Sequence, residues 1–263
     1  MWKISALFVH FLFLSNGYLA RAASASNVLP RFRVLVLAEE GGHHIKFSQA
    51  AKIWIEQLAA DSSFTVDYIQ DTSPIDENFL NQYQLFIQLD FPPYTWSERS
   101  MNAFQDFMKK GKGGWIGFHH ATLLGEFDGY SMWNWFSDFM GGIRWKNYIA
   151  DFATASVKVE DTTHPCMKGI PRVFTIEKEE WYTYDKSPRT GVKVIASVDE
   201  STYYPNSEIK MGDHPVIWTN EKMATRNMYI FMGHSPDLFN NPVYTALFRN
   251  VIFWAAEGFE DQK

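Results

Sequence analysis

The stretch Gly114-Trp115-Ile116-Gly117-Phe118-His119-His120-Ala121 decides the fold that we expect for this chain. Its first five residues form a short, nearly continuous apolar run, which is typical of a strand buried on both faces of a sheet. A sharp turn from strand to helix, with small residues on both sides, lifts its central residue into a ligand site, as in a nucleophile elbow. Here that residue is His119 and not Ser or Cys, so the stretch favours proton transfer or metal binding over acyl-enzyme chemistry.

The segments around this stretch alternate between strand-like and helix-like patterns. Phe32–Leu37 and Phe64–Ile69 are short apolar runs, and Phe47–Ala60 between them has apolar residues at helical spacing. Thr95-Trp96-Ser97-Glu98 is a capping box that opens a helix to Lys110, which Gly111 closes. The alternation predicts a parallel sheet with helices on both faces. Further strands are predicted at Leu85–Ile87, Ala153–Val159, Val173–Ile176, Val192–Val198, Val216–Trp218 and Asn227–Met232, and further helices at Trp133–Phe139 and Pro242–Ala256.

The composition excludes several classes of protein. A chain of 263 residues with 46% hydrophobic and 17% aromatic residues has enough apolar surface for a large core, so disorder is excluded. The net charge is -6 and no basic patch is present, so we expect no nucleic-acid partner. Cys166 is the single cysteine, so an intramolecular disulfide is impossible and the thiol is most simply a small apolar residue.

The N-terminal segment has the pattern of a signal peptide. Lys3 gives a short positive region, and Ile4–Leu14 is almost wholly apolar but shorter than the ~20 residues of a membrane span. Ala20-Arg21-Ala22 fits the small-x-small rule, so we expect cleavage before Ala23, a periplasmic or secreted location and no stable membrane span afterwards. An uncleaved anchor is the alternative. The expected organisation is a signal peptide over 1–22, a linker over 23–31 and one domain over 32–259.

Histidines follow three of the predicted strands. His43 and His44 follow the first strand, His119 and His120 the fourth, and His234 the last. Because ligands bind beyond the carboxyl ends of parallel strands, we expect these side chains to share one site. Imidazole can shuttle protons or bind a metal such as zinc, and no short ligand spacing such as HExxH chooses between the two chemistries.

An acidic and aromatic segment, Glu177–Tyr184, is a second candidate part of the site. One interpretation is an edge strand with a solvated face. The other is a carboxylate base or metal ligand, Glu180, beside an aromatic platform for a sugar ring. For His164-Pro165 and His214-Pro215 we favour a structural role at turns.

Taken together in chain order, these motifs resemble the trehalose-utilisation, ThuA-like family. The resemblance implies a fold similar to class I glutamine amidotransferases, an α/β flavodoxin-like three-layer sandwich with a mostly parallel sheet. It also implies a link to the metabolism of sugars, often disaccharides or keto-sugars. The similarity runs from about Arg33 to Gly258 and rests on Gly117–Ala121, His164-Pro165, Glu179–Tyr182, His214–Trp218 and Gly233-His234.

The resemblance also implies roles for single residues. His119 stands where amidotransferases carry their nucleophilic cysteine, so the protein is not expected to be a glutamine amidotransferase. Glu180 matches the family's acidic residue before an aromatic pair, and His44 and His234 match its early and late histidines. The predicted catalytic residues are His119, His120, Glu180 and His234, and the predicted substrate-binding residues are Glu39, His43, His44, Trp181 and Tyr182. A metal, if one is bound, would lie between His44, His119, Glu180 and His234.

We therefore expect a carbohydrate-active protein, and two kinds of function stay open. The first is a sugar isomerase, lyase or hydrolase that uses acid–base groups on a sugar or keto-sugar, with a divalent metal such as zinc as a possible replacement for one acid. The second is a non-catalytic sugar-binding protein that retains the fold. In both cases the expected partner is a small carbohydrate, while the sequence leaves the sugar, the metal and the oligomeric state open.

Overall fold

A computed structural model describes residues 30–39, 44–89, 93, 95–127 and 129–257, and the statements below concern these ranges. The expected signal peptide, most of the expected linker, His43 and the last residues of the expected domain lie outside them. Within the described ranges, no helix combines the length and the apolar character that crossing a membrane requires.

A central sheet of nine strands carries the fold, and two further strands pair separately. Most of the strands are apolar runs, and the burial of their side chains against the helices stabilises the sheet. In chain order the strands are β1 (Arg33–Leu37), β2 (Thr65–Ile69), β3 (Leu85–Gln88), β4 (Gly114–Phe118), β5 (Trp145–Tyr148), β6 (Ala153–Val159), β7 (Val173–Glu179), β8 (Tyr182–Tyr184), β9 (Lys193–Tyr204), β10 (Pro215–Thr219) and β11 (Asn227–Ile230).

The first half of the central sheet has the expected flavodoxin-like order. Strands β2-β1-β3-β4-β11 are neighbours in that order and all pair in parallel. The sheet then continues through β10, β9, β6 and β7 with antiparallel pairing. Only β10 and β6 run opposite to the other strands of this sheet, so β4, β7 and β11 end at the same edge.

Helices cover both faces of the sheet, which confirms the three-layer α/β fold. On one face, Phe118 of β4 contacts Phe47 and Phe248, which belong to the first and last helices. On the other face, Trp115 contacts Phe104 and Phe139. Side chains three positions apart on a strand point to opposite faces, so one strand anchors both layers. The helices are α1 (Ile45–Ser62), α2 (Glu77–Leu80), α3 (Glu98–Lys110), α4 (Asn134–Phe139) and α5 (Pro242–Glu257).

Helix α3 begins two residues later than the predicted capping box implies. The N-cap is Ser97, whose hydroxyl accepts a hydrogen bond from the backbone N–H of Ser100 over 3.2 Å, so the prediction of Thr95 as the cap is wrong. The predicted end is confirmed. Gly111 follows Lys110 with φ 65°, a left-handed conformation that glycine adopts without a steric penalty.

Two strands next to the candidate site were not predicted. Trp145–Tyr148 (β5) and Tyr182–Tyr184 (β8) pair antiparallel with each other, outside the central sheet. Both are three or four residues long and lack apolar–polar alternation, so local pattern gives little signal for them. Strand β7 also runs three residues further than predicted, to Glu179.

Candidate functional site

His119 occupies the sharp turn that follows β4. Its backbone has φ 28°, an uncommon value for a residue with a side chain. The backbone oxygen of His119 accepts hydrogen bonds from the hydroxyls of Thr122 (2.9 Å) and Tyr229 (3.0 Å), both of which are buried. These two bonds stabilise the unusual backbone and fix where the imidazole leaves the chain.

The ring of His119 is fully buried and has a polar neighbour at each nitrogen. Nδ1 lies 3.1 Å from the backbone oxygen of Phe231, which can only accept, so Nδ1–H donates. Nε2 lies 3.3 Å from Oε2 of Glu180. Burial lowers the pKa of His119, although the Glu180 carboxylate opposes this shift. In its neutral form the ring therefore presents the lone pair of Nε2 to Glu180.

Gly233 allows the end of β11 to approach the end of β4. A Cβ atom at this position would lie 3.0 Å from Cβ of His119 and 3.1 Å from Cβ of Phe118, closer than side chains normally pack. The next residue, His234, places its Nδ1 3.2 Å from Oε2 of Glu180. The absence of a side chain at Gly233 thus brings the two strand ends, and their histidines, together.

His44 approaches the same point from the start of α1. Its side chain is fully buried, and its Nε2 lies 2.7 Å from Nδ1 of His234. The ring centroids of His44 and His119 are 4.9 Å apart. The ring of His120 lies over that of His44, with 3.4 Å between centroids and a tilt of 30°.

A β-bulge near the end of β7 aims two neighbouring carboxylates at the histidines. Ala155 pairs with Ile176 and Ala153 pairs with Glu179, so two residues of β7 face one residue of β6. Lys178, inside the bulge, has φ 50°. A bulge of this kind redirects the side chains that follow it. As a result Glu177 is exposed, whereas Glu179 is fully buried.

The two carboxylates have opposite electrostatic environments. Burial raises the pKa of Glu179 to about 8, although its oxygens accept bonds from the backbone N–H groups of Glu180 (3.0 Å) and His234 (3.5 Å). Burial also acts to raise the pKa of Glu180, but the hydrogen bonds and positive charge of His119 and His234 in their protonated forms outweigh burial and hold that pKa well below its usual range. Glu180 is therefore the ionised member of the pair.

Four side chains from four separate segments thus converge on one point. We call His44, His119, Glu180 and His234 the histidine–glutamate cluster. One donor atom from each lies within 4.8 Å of all the others. These are the four residues between which a metal was expected, if one is bound. The donor set of three imidazole nitrogens and one carboxylate oxygen suits a transition metal as well as proton exchange.

A cavity of about 160 Å³ opens onto the cluster. Among the predicted catalytic residues, His120 and Glu180 line it, whereas His234 and the fully buried His119 do not. Tyr182, a predicted substrate-binding residue, lines one wall and is 3% exposed. The complete lining is His44, His120, Leu123, Trp145, Tyr148, Glu180 and Tyr182.

Sequence reasoning missed two aromatic walls of this cavity. Trp145 and Tyr148 lie on β5, and Tyr148 pairs with Tyr182 of β8. The sequence shows Trp145 and Tyr148 three residues apart, which is the one signal that it offers for them. Only the pairing of β5 with β8 shows that both residues face the cluster. Larger grooves elsewhere in the described part of the chain are not lined by any cluster residue.

The predicted sugar contact through Trp181 needs correction. Its side chain is 0% exposed, stacks on Phe231 at 5.3 Å with an interplanar angle of 11°, and donates a 2.6 Å hydrogen bond to the backbone oxygen of Ala153. A ring enclosed on all sides cannot stack on a ligand, so Trp181 has a packing role. Glu39 is half-buried after β1 and does not line the cavity, and the predicted contact at His43 lies outside the described residues.

The remaining singled-out residues have the structural surroundings expected for them. His214 is buried with Nδ1 2.9 Å from Oε1 of Glu200, and Nδ1 of His164 accepts a bond from the backbone N–H of Cys166. Cys166 is fully buried, and burial raises the pKa of its thiol. A buried thiol that stays protonated is a poor nucleophile, which argues against amidotransferase chemistry at this residue.

Comparison with known proteins places this geometry in a family. A ThuA-like protein from Bacteroides uniformis has a similar structure, with a TM-score of 0.79, 28% identity, and 93% of this chain and 98% of that chain covered. A ThuA-like protein from Parabacteroides merdae is similar at a TM-score of 0.62 and 18% identity, covering 89% of this chain and 92% of that chain. A carbohydrate deacetylase shares the fold at a TM-score of 0.54 and 13% identity, over 86% of this chain and 32% of that chain.

Comparison with the curated proteins finds no match. The model of the family described as trehalose utilisation, ThuA, matches residues 33–255, which span the whole central sheet and the five helices up to the last turn of α5. This match supports a carbohydrate-related role. The chain therefore belongs to the ThuA, or trehalose utilisation, family.

Proposed function

We propose that this protein is an enzyme that performs acid–base chemistry on a sugar or keto-sugar held in the cavity above the histidine–glutamate cluster. One observation carries the proposal: a cavity with aromatic walls opens onto converging imidazole and carboxylate groups. Perturbed titratable groups in a cavity are typical of an active site. The family match supports a carbohydrate as the substrate.

The size and walls of the cavity favour a single sugar ring. Its volume of about 160 Å³ is well below the ~300 Å³ at which pockets for drug-sized ligands begin. Trp145 and Tyr148 can offer flat apolar faces to the C–H groups of a ring, and the hydroxyl of Tyr148 can hydrogen-bond a sugar hydroxyl. Tyr182 is only 3% exposed, so it closes the wall of the cavity and does not offer a free face. In this proposal one ring of the substrate enters the cavity, and the remainder of a disaccharide stays at its mouth.

His120 is the residue that we assign to proton transfer. It lines the cavity, is 7% exposed and stands outside the histidine–glutamate cluster, against the ring of His44. A histidine in reach of the substrate can remove a proton from a carbon or hydroxyl near neutral pH. An acid at the cluster, either the protonated imidazole of His44 or a Lewis acid in its place, takes up the negative charge of the enolised or departing oxygen. In an isomerisation His120 then returns its proton to the neighbouring carbon, and in an elimination it releases the proton to water after the product leaves. Acid–base groups are therefore enough for either reaction on a keto-sugar.

The place of action is part of the proposal. Residues 1–22 have the n-region, apolar region and small-x-small site of a signal peptide, so we propose that the enzyme works in the periplasm or outside the cell.

A panel of disaccharides and keto-disaccharides, followed over time by NMR or mass spectrometry, tests the proposal. We expect the intact protein to convert a member of the panel and His120→Gln to slow the conversion by about 10²–10⁴-fold. His164→Gln is the matched control, because His164 lies against Trp254 away from the cavity. Saturable sugar binding without any product would contradict catalysis and establish the non-catalytic alternative.

A further inference from the structure

The histidine–glutamate cluster has the donor set of a metal site. Each of its four residues contributes one donor atom, and the four atoms lie within 4.8 Å of one another. His44 and His119 are fully buried, and the side chains of Glu180 and His234 are 13% and 10% exposed. Such a buried set differs from the exposed acidic groups that occur commonly without an ion.

Two of the distances within the cluster match a coordination shell. Zinc binds imidazole nitrogen and carboxylate oxygen at about 2.0–2.2 Å, which places neighbouring tetrahedral ligands about 3.3 Å apart. Oε2 of Glu180 lies 3.3 Å from Nε2 of His119 and 3.2 Å from Nδ1 of His234. The separation from His234 to His44 is shorter, at 2.7 Å. His44 and His234 must therefore move apart to admit an ion at the centre.

The surroundings of two donors orient them for an ion. Nδ1–H of His119 donates to the backbone oxygen of Phe231, so the lone pair of Nε2 points at the cluster. Oε2 of Glu180, itself an acceptor, lies 3.3 Å from this lone pair. Two acceptors at this distance require either a proton or a cation between them. Tyr182 lines the cavity beside Glu180.

We propose that the histidine–glutamate cluster binds one divalent transition-metal ion, for which Zn²⁺ is the best match. Three imidazoles favour Zn²⁺ and its neighbours over Mg²⁺ or Ca²⁺, which prefer oxygen ligands. His44 and Glu180 line the cavity, so one side of the ion would face a bound sugar. The ion would supply a Lewis acid to a sugar oxygen, a use that rests on the proposed function, while His120 remains the proton-transfer group.

Metal content is the test, and it needs no substrate. The full chain is stripped with a chelator, titrated with ZnCl₂ by calorimetry, dialysed and subjected to elemental analysis, and a parallel sample is loaded with Co²⁺ for its visible spectrum. We expect one Zn²⁺ per chain and a cobalt spectrum of a four- or five-coordinate site. Glu180→Gln and His234→Gln should weaken zinc binding by at least the 10–100-fold that loss of an outer-shell partner costs.

The controls separate the site from folding and from catalysis. His164→Gln removes a histidine outside the cluster and should bind zinc as the unaltered protein does. Circular dichroism checks the fold of each variant, and if a variant does not fold, the titration and cobalt spectrum of the unaltered chain decide alone. A chain that retains no zinc, or cluster variants that retain as much as the unaltered chain, would overturn the proposal. Zinc binding without conversion of any sugar would contradict only the proposed function.

Discussion

The Nδ1–H group of His119 donates to the backbone oxygen of Phe231 over 3.1 Å, and this bond joins the ends of two neighbouring strands. Because β4 and β11 are parallel neighbours, their carboxyl ends lie side by side, and the bond fixes the imidazole between them. It also determines which ring nitrogen faces Glu180. A histidine held in this way offers the Nε2 lone pair as a metal ligand or as a proton acceptor.

Replacing Gly233 with Ala should disturb the site more than the fold. The added Cβ would lie 3.0 Å from Cβ of His119, so the imidazole must move. We expect stability to fall by about 1–3 kcal/mol from overpacking and zinc affinity to fall by roughly 10–100-fold. Thermal unfolding and zinc titration measure the two effects. Gly169→Ala, at a positive φ with open space around it, should lower stability by about 1–2 kcal/mol and leave zinc affinity unchanged.

Truncation of two aromatic residues near the cavity should have different effects: one variant should lose stability and the other should lose sugar affinity. Trp181→Ala removes a fully buried ring and its hydrogen bond to Ala153, so we expect a loss of about 3–5 kcal/mol in the free energy of unfolding. Tyr148→Ala removes a cavity wall that is 39% exposed, so stability should change by at most ~0.5 kcal/mol. Sugar binding should weaken roughly 2- to 10-fold in the Tyr148 variant. Unchanged sugar affinity there would place the ring-binding wall elsewhere.

The Glu200 carboxylate should make the stability of the protein depend on pH. Burial acts against the charge of Glu200, but hydrogen bonds from His214 and from the backbone N–H groups of Met211 and Gly212 outweigh burial and lower its pKa. A carboxyl whose pKa is lower in the folded state stabilises the fold above its unfolded pKa, and this stabilisation is lost as the pH falls through the folded pKa.

Glu200→Gln tests this dependence. The pKa of a glutamate in the unfolded chain is near 4.5. Above that pH, the free energy of unfolding of the unaltered protein should exceed that of the variant by its full amount. The difference should shrink as the solution becomes more acidic. Urea unfolding at a series of pH values measures it, and a difference that is constant from neutral to acidic pH would show that the charge of Glu200 contributes nothing.

The signal-peptide interpretation makes a prediction about the mature chain. When the full sequence is produced in a secreting bacterium, we expect a protein that begins at Ala23 and fractionates outside the cytoplasm. Intact-mass measurement gives the N-terminus. A membrane-bound chain that retains Lys3 would instead identify residues 1–22 as an uncleaved anchor.

Much of the parallel half of the sheet could be predicted from the sequence. The limits of β4 were predicted residue for residue, because its apolar run is short, continuous and bounded by glycine and histidine. The placing of His119 and His234 at one edge follows from the same alternation, since parallel strands share a direction. The position of the carboxyl end of β7 was harder to predict. It lies near His234 only because antiparallel strands connect β7 to the sheet and a bulge at Lys178 redirects its last residues.

The local sequence pattern could not predict which aromatic side chains line the cavity. Trp145 and Trp181 both lie near strand ends. Trp145 lines the cavity, whereas Trp181 is enclosed by Phe231, Tyr203 and the sheet. Which one meets solvent depends on the pairing of β5 with β8, a contact between segments more than thirty residues apart. Spacing along the chain carries no information about that contact.

The burial of Cys166 allows the protein to be labelled with a dye at a single introduced cysteine. The chain has no other cysteine, and this thiol is enclosed and hard to ionise, so maleimide dyes should leave the unaltered protein unlabelled. A cysteine introduced by Tyr148→Cys would then be the sole attachment point, at the rim of the cavity. Fluorescence from a dye placed there would report in real time when the cavity fills and empties.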